Sequence, residues 1–266
     1  MRLLRRHGMQ LITPHPDLEA KDIEMMRPMH WLALAWKDME RCPTAGVTHG
    51  LILAIIGGGL FWFARHDFWW IAAMLSACMI VAPLLATGLY DISRRLERGE
   101  EATLADAFRI WTCGDKRLIQ FGLLLALSSA GWLVCSAALV HWMLPASVQT
   151  PADFLRLVVL QPNFGLFEIW VLMSAVIAAP MFASTLVTIP LLMDHPTLTV
   201  QQAVLTSWRV VALNPFAMAC WAGLLCLFTA LGIGSAFLGL LAVVPMLGHA
   251  SWHAYRDLVT YDPTVH

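Results

Sequence analysis

The chain has 266 residues and a formal net charge of −1, so there is no overall positive excess to hold the phosphates of a nucleic acid. Hydrophobic residues make up 59% of it, charged residues only 13%, and the mean hydropathy is +0.67. That charged share is about half of what a typical soluble domain carries, too little to cover a water-facing surface, and the expected fold class is all-α, a polytopic membrane protein.

The opening run MRLLRRHG is basic, but LITPHPDLEAKDIEMM follows it in place of the apolar core of a signal peptide. Residues 1–27 are therefore read as a flexible cytoplasmic segment. From Pro28 to Arg41 the spacing predicts a helix lying at the membrane interface. Trp31, Leu32, Ala35, Trp36 and Met39 share one face, with Lys37, Asp38, Glu40 and Arg41 elsewhere. Pro28 suits a first turn and Pro43 marks the end.

A bilayer core of about 30 Å takes roughly 20 apolar residues to cross. Six stretches within a membrane domain of residues 28–258 meet this requirement: 46–64, 68–90, 118–144, 164–193, 215–233 and 235–258. Only Gly232–Gly234 divides the last two, because one helix of that combined length would overshoot the bilayer. Residues 259–266 are read as a cytoplasmic tail.

Lysine and arginine set the orientation. Fifteen of the seventeen fall on the side of the N-terminal segment and the loop between spans two and three. Only Arg65 and Arg156 fall opposite. Both ends are thus expected in the cytoplasm, with the chain in a bacterial inner membrane.

Two further interfacial helices are predicted, led by Thr103 (with Asp106) and Thr199 (with Gln202), each a capping pair followed by one apolar stripe. APLL, IPLL and VPML, at Ala82, Ile189 and Val244, recur in the cytoplasmic halves of inward-running spans. The recurrence suggests three proline-marked hairpins in series.

Five strings carry a family likeness: WLALAWKDM (Trp31–Met39), GLYDISRRLERGE (Gly88–Glu100), TIPLLMD (Thr188–Asp194), TSWRVVALNP (Thr206–Pro215) and VPMLGHASWHAYRDL (Val244–Leu258). Together they resemble the prokaryotic predicted integral membrane proteins of domain-of-unknown-function family 2189. Some members are labelled as related to cytochrome c oxidase subunit I. The resemblance implies no established activity, and the several-span histidine set of an oxidase copper centre has no counterpart in this chain.

Few residues offer chemistry. His249 and His253 stand four apart, so one helical face presents both imidazoles, and His49 is expected at a similar depth. Such rings suit a metal, a haem or a quinone, but equally an ordinary hydrogen bond to a backbone carbonyl. No cofactor is required by the sequence. Arg94, Arg95 and Arg98 with Trp31 and Trp36 are the candidate lipid or partner contacts, while the interleaved Glu97, Glu100 and Glu101 also suit a solvated run of Glu/Arg pairs. Glu168 heads the fourth span, where a carboxylate suits the helix N-terminus. Six cysteines form no C-x-x-C pair, and neither a disulfide framework nor a zinc site is expected.

The function that these features favour is a non-catalytic accessory, assembly or scaffold subunit of a larger respiratory or other inner-membrane complex. A carrier for a lipid-like molecule and a histidine-based haem, metal or quinone protein are the alternatives.

Overall fold

The computed structural model describes residues 18–112, 114–161 and 165–261. The basic opening run, Cys113, Asn163, Phe164 and the tail beyond Tyr261 lie outside the described residues.

Among the described residues the regular structure is helical apart from one small two-stranded ladder. In chain order it runs β1 (Leu18–Ala20), α1 (Arg27–Arg41), α2 (Pro43–Ala64), α3 (Phe68–Leu85), α4 (Thr87–Glu97) and α5 (Leu104–Thr112). Then come α6 (Lys116–Met143), α7 (Pro151–Phe154), α8 (Leu166–Thr185), α9 (Thr188–Asp194), α10 (Val200–Leu213), α11 (Pro215–Gly234), α12 (Leu240–Leu258) and β2 (Val259–Tyr261).

Local chemistry accounts for the starts. Asp67 accepts from the amides of Trp69 and Trp70 at the head of α3, and Asp115 accepts from Arg117 at the head of α6. Thr199 and Gln202 form the expected capping box on α10. Asp106 accepts from both the amide and the hydroxyl of Thr103 ahead of α5.

Among the described residues, five helical stretches are long and apolar enough to cross a membrane: Pro43–Ala64, Phe68–Glu97, Lys116–Met143, Leu166–Asp194 and Pro215–Gly234. Two of them bend. α3 gives way to α4 at Ala86, three residues after Pro83 has removed a backbone donor, and α8 gives way to α9 at Leu186 and Val187. Pro190 then occupies the first turn of α9, where its missing N–H costs nothing. The sixth expected stretch, 235–258, is helical only from Leu240, and its second half carries His249, His253, Arg256 and Asp257. It is not among the five.

The spanning segments turn large apolar side chains outward, as hydrocarbon-facing helices must: Leu127, Leu172, Val176, Phe63 and Trp142 are all exposed. Dense packing is found instead at one end, where α1, α4, α9, α10 and parts of α11 and α12 share a core. Trp31, Trp221, Trp252, Tyr255, Ile189, Leu191, Leu192 and Leu258 are wholly buried in it.

In this layer α1 departs from expectation. Its buried stripe is Pro28, Trp31, Leu32, Ala35 and Asp38, facing protein and not lipid, while Trp36 lies on the exposed side. Trp31 meets Trp221 of α11 edge to face at 5.5 Å and donates to Asp257 of α12 at 2.9 Å. Arg27 opposite Asp257 and Asp38 opposite His253 show that α1 runs antiparallel along the polar half of α12. α2 continues the same line, with Gly46 against Pro245 and Gly50 against Leu241. α1 thus continues the line of α2 along α12 and buries its stripe against protein.

β1 and β2 close the layer as an antiparallel pair, Leu18 opposite Tyr261 and Ala20 opposite Val259. Asn214 accepts from the amide of Ile23 and donates to the carbonyl of Lys21, which fastens the N-terminal strand to the head of α11.

Candidate functional site

Where α1, α4 and α12 meet, one carboxylate gathers a polar cluster. Asp38 Oδ2 accepts from His253 Nε2 at 2.8 Å and from the Ser93 hydroxyl at 2.7 Å. Ser93 Oγ lies 2.7 Å from His249 Nδ1. The serine's only proton is committed to Asp38, so His249 donates through Nδ1 and keeps a bare lone pair on Nε2. Burial pushes the Asp38 pKa up, but the hydrogen bonds from His253 and Ser93 and the nearby imidazoles outweigh it and hold the carboxyl below its ordinary value. Asp38, Ser93 and His249 are all buried.

His49 on α2 stands beside this cluster. Its Nδ1 is 2.7 Å from the carbonyl of Ala45, so that nitrogen carries the proton and Nε2 again holds a lone pair. Phe108 stacks on the ring and Trp111 meets it edge-on. Neither His49 Nε2 nor His249 Nε2 has a hydrogen-bond partner among the described residues. Gly88 is required here, because a Cβ at that position would sit 2.7 Å from His49 Nε2 and 2.9 Å from the Ala107 carbonyl oxygen. Gly88→Ala is expected to push α2 from α4 and cost about 1–3 kcal/mol, as overpacking does. Thermal unfolding of the purified protein checks it, and an unchanged melting temperature would contradict the packing.

Ser, His and Asp within bonding distance invite comparison with a hydrolase triad, but the polarity is wrong. In a triad the serine donates to histidine and histidine to the carboxylate. Here serine donates to the carboxylate and accepts from histidine, and Ser93 is fully buried. The cluster is a bolt between three helices.

The expected shared face of His249 and His253 is present, but both rings turn toward Asp38. Among the described residues, no group of three or more His, Cys, Asp or Glu side chains is arranged to hold a metal ion.

The SRRLERGE run forms a second clamp. Arg94 and Arg95 both grip the buried Asp91, and Arg94 also donates to the carbonyl of Met193. Arg95 reaches Asp106 at 3.3 Å, and Arg98 lies 3.6 Å from Asp194. Arg256 pairs with Glu97 at 3.0 Å, and Tyr255 donates to Asp194 at 2.9 Å. Arg117 donates to the carbonyls of Leu192, His195 and Leu198 beyond and at the end of α9, where a cation suits the helix C-terminus. Two cavities of about 360 and 240 Å³ open among these groups and share Asp194 and Arg256 as walls.

Of the residues singled out in the sequence, Trp31, Arg94 and Arg95 are therefore engaged inside the fold, and Trp36 and Arg98 remain largely exposed. Glu168 accepts from the amide of Gly165, as its place at a helix head suggested. Asp91 belongs to the polar run that the sequence marks, whereas Asp38, Ser93 and Asp194 are not singled out by it as site residues. Asp38 was detectable, since 28, 31, 35 and 38 follow one helical stripe.

Comparison with protein families matches residues 71–194 to the model described as predicted integral membrane protein (DUF2189). No curated protein matches the chain. No solved structure matches it.

Proposed function

We propose that this chain, an integral membrane protein carrying the DUF2189 domain over residues 71–194, is a non-catalytic accessory or scaffold subunit of a larger bacterial inner-membrane complex. Six helices enter the bilayer, and both ends lie in the cytoplasm, the side that holds fifteen of the seventeen lysines and arginines. The observation that carries the reading is the way the polar residues are spent. Asp38, Ser93, His249 and His253 bond to one another, as Asp91 does to Arg94 and Arg95, and these pairings engage the polar side chains within the fold. What the cytoplasmic layer offers outward is a rigid face of α1 with Trp36 and Lys37. An exposed aromatic beside a charge is the kind of anchor that protein interfaces favour.

The test is native electrophoresis after mild detergent extraction at natural expression levels. The expected result is migration in an assembly well above the 29.5 kDa chain, without stoichiometric cofactor absorbance. Trp36→Ala should keep the fold but release the chain from that assembly. A wild-type chain that migrates alone, or a coloured one, would overturn the reading.

A further inference from the structure

The geometry points to a partner for the turn between α11 and α12: the lipid acyl chains beyond the bilayer midplane, which this hairpin enters and leaves from the cytoplasmic side without emerging. The inference rests on the membrane orientation proposed above.

Depth is the first argument. α2 begins at Pro43 and its 22 residues rise about 33 Å, enough to cross the hydrocarbon. Gly50, seven residues in, stands about 10 Å from that start. There the backbone of α12 comes against it, because a Cβ on Gly50 would lie 2.6 Å from Leu241 Cα and 2.7 Å from the Leu240 carbonyl oxygen. The other limb is already alongside, since a Cβ on Gly239 would lie 3.1 Å from Gly232 Cα. Only residues 233–238 remain beyond that level, and α11 is helical through Gly234. The tip adds about one helical turn, and its Phe237 ring reaches the level of Gly57, about 21 Å from the start of α2 and short of the helix's full rise of about 33 Å. Phe237 sets its ring against Gly57 and, at 5.8 Å, against Phe61.

α11 is also too short to cross from where it starts. Its head, after Asn214, is bound to Ile23 and Lys21, and Trp221 is locked against Trp31 in the cytoplasmic layer. The remaining thirteen residues rise about 20 Å.

Chemistry is the second argument. A turn in water favours Gly, Asn or Asp where φ is positive. Here the two left-handed residues are Ala236 (φ 52°) and Phe237 (φ 68°), and Leu238 beside them is 72% exposed. A turn in hydrocarbon must bond its own backbone. The amides of Ser235, Phe237, Leu238 and Leu240 donate to carbonyls of Leu231, Ile233, Ser235 and Phe237. Ser235 Oγ accepts from Gly239 at 2.7 Å and donates to the Gly232 carbonyl, so the one polar side chain in the turn is also satisfied. By contrast, the α2–α3 turn is Arg65-His66-Asp67.

Single cysteines test this in the full-length chain with its native cysteines replaced by alanine, reconstituted in oriented vesicles. Gln149→Cys and Lys37→Cys should react with an impermeant maleimide from opposite sides. Ala236→Cys and Leu238→Cys should react from neither, at less than about a tenth of the Gln149→Cys level, until detergent is added. A nitroxide at Leu238→Cys should be relaxed by oxygen but not by a water-soluble nickel complex. If Gln149→Cys and Lys37→Cys label from one side, the orientation itself fails. If they label from opposite sides and Ala236→Cys labels with Gln149→Cys, the hairpin emerges and the inference is wrong. A nitroxide shielded from both relaxants would mean protein, not lipid, covers the tip, which also overturns it. Should the cysteine-free chain not fold, azidophenylalanine replacing the same residues, with an impermeant cyclooctyne, gives the labelling readout in the native background.

Discussion

Asp38→Ala is expected to lower the stability of the detergent-solubilised protein by about 3–5 kcal/mol, the cost of removing one member of a buried, hydrogen-bonded charge set. The substitution strips an acceptor from Ser93 and from His253, and through Ser93 it loosens His249. All four groups bridge α1, α4 and α12, so the loss should open this packed layer as a unit. Asp38→Asn keeps an acceptor oxygen and should lose less. The pH dependence follows from the depressed carboxyl pKa. Its contribution is complete above the unfolded value near 3.9 and is lost as pH falls through the lower folded value. Thermal unfolding between pH 3 and 7 measures both effects. An Asp38→Ala protein as stable as wild type would mean that the cluster binds nothing together.

Trp31→Ala should be comparably severe, about 3–5 kcal/mol, in the range of buried aromatic truncations. Trp31 is wholly buried, packs edge to face on Trp221 and donates to Asp257, so its loss leaves a cavity between α1, α11 and α12. Asp257 still keeps Arg27, which limits the electrostatic part. Trp36→Ala, five residues on and exposed, should change stability by no more than about 0.5 kcal/mol. Equal effects at the two tryptophans, in chemical or thermal unfolding, would place α1 on the bilayer surface after all.

The contrast between those tryptophans shows how far the sequence can be read. Both look alike as interfacial aromatics in WLALAWKDM, and local pattern assigned both to one apolar face. The stripe that packing selects is 28, 31, 35 and 38, which contains an acid. A buried aspartate is so costly unless paired that pattern alone assigns it to solvent, and its partners lie 55 residues away at Ser93 and 215 away at His253. The arginines of SRRLERGE were legible as pairs with neighbouring acids, as Arg95 with Asp91 is. Their grip on Met193 and Asp194 was not, because nothing local shows which helix end approaches.

What the sequence determined by itself is the environment and the element type. Long apolar runs must bond their own backbone once they leave water, so they are helices in a bilayer, and Thr199, Asp67 and Asp115 mark where helices begin. Only the tertiary structure decided which stretches of helix pack against one another and which polar residues meet. The last two runs, 215–233 and 235–258, are apolar enough to suggest two full crossings. Trp221 locked to Trp31 and Leu241 against Gly50 fix how little of that length lies beyond the packed layer. Hydropathy measures whether a segment tolerates lipid; the depth at which it stops is set by contacts with other helices.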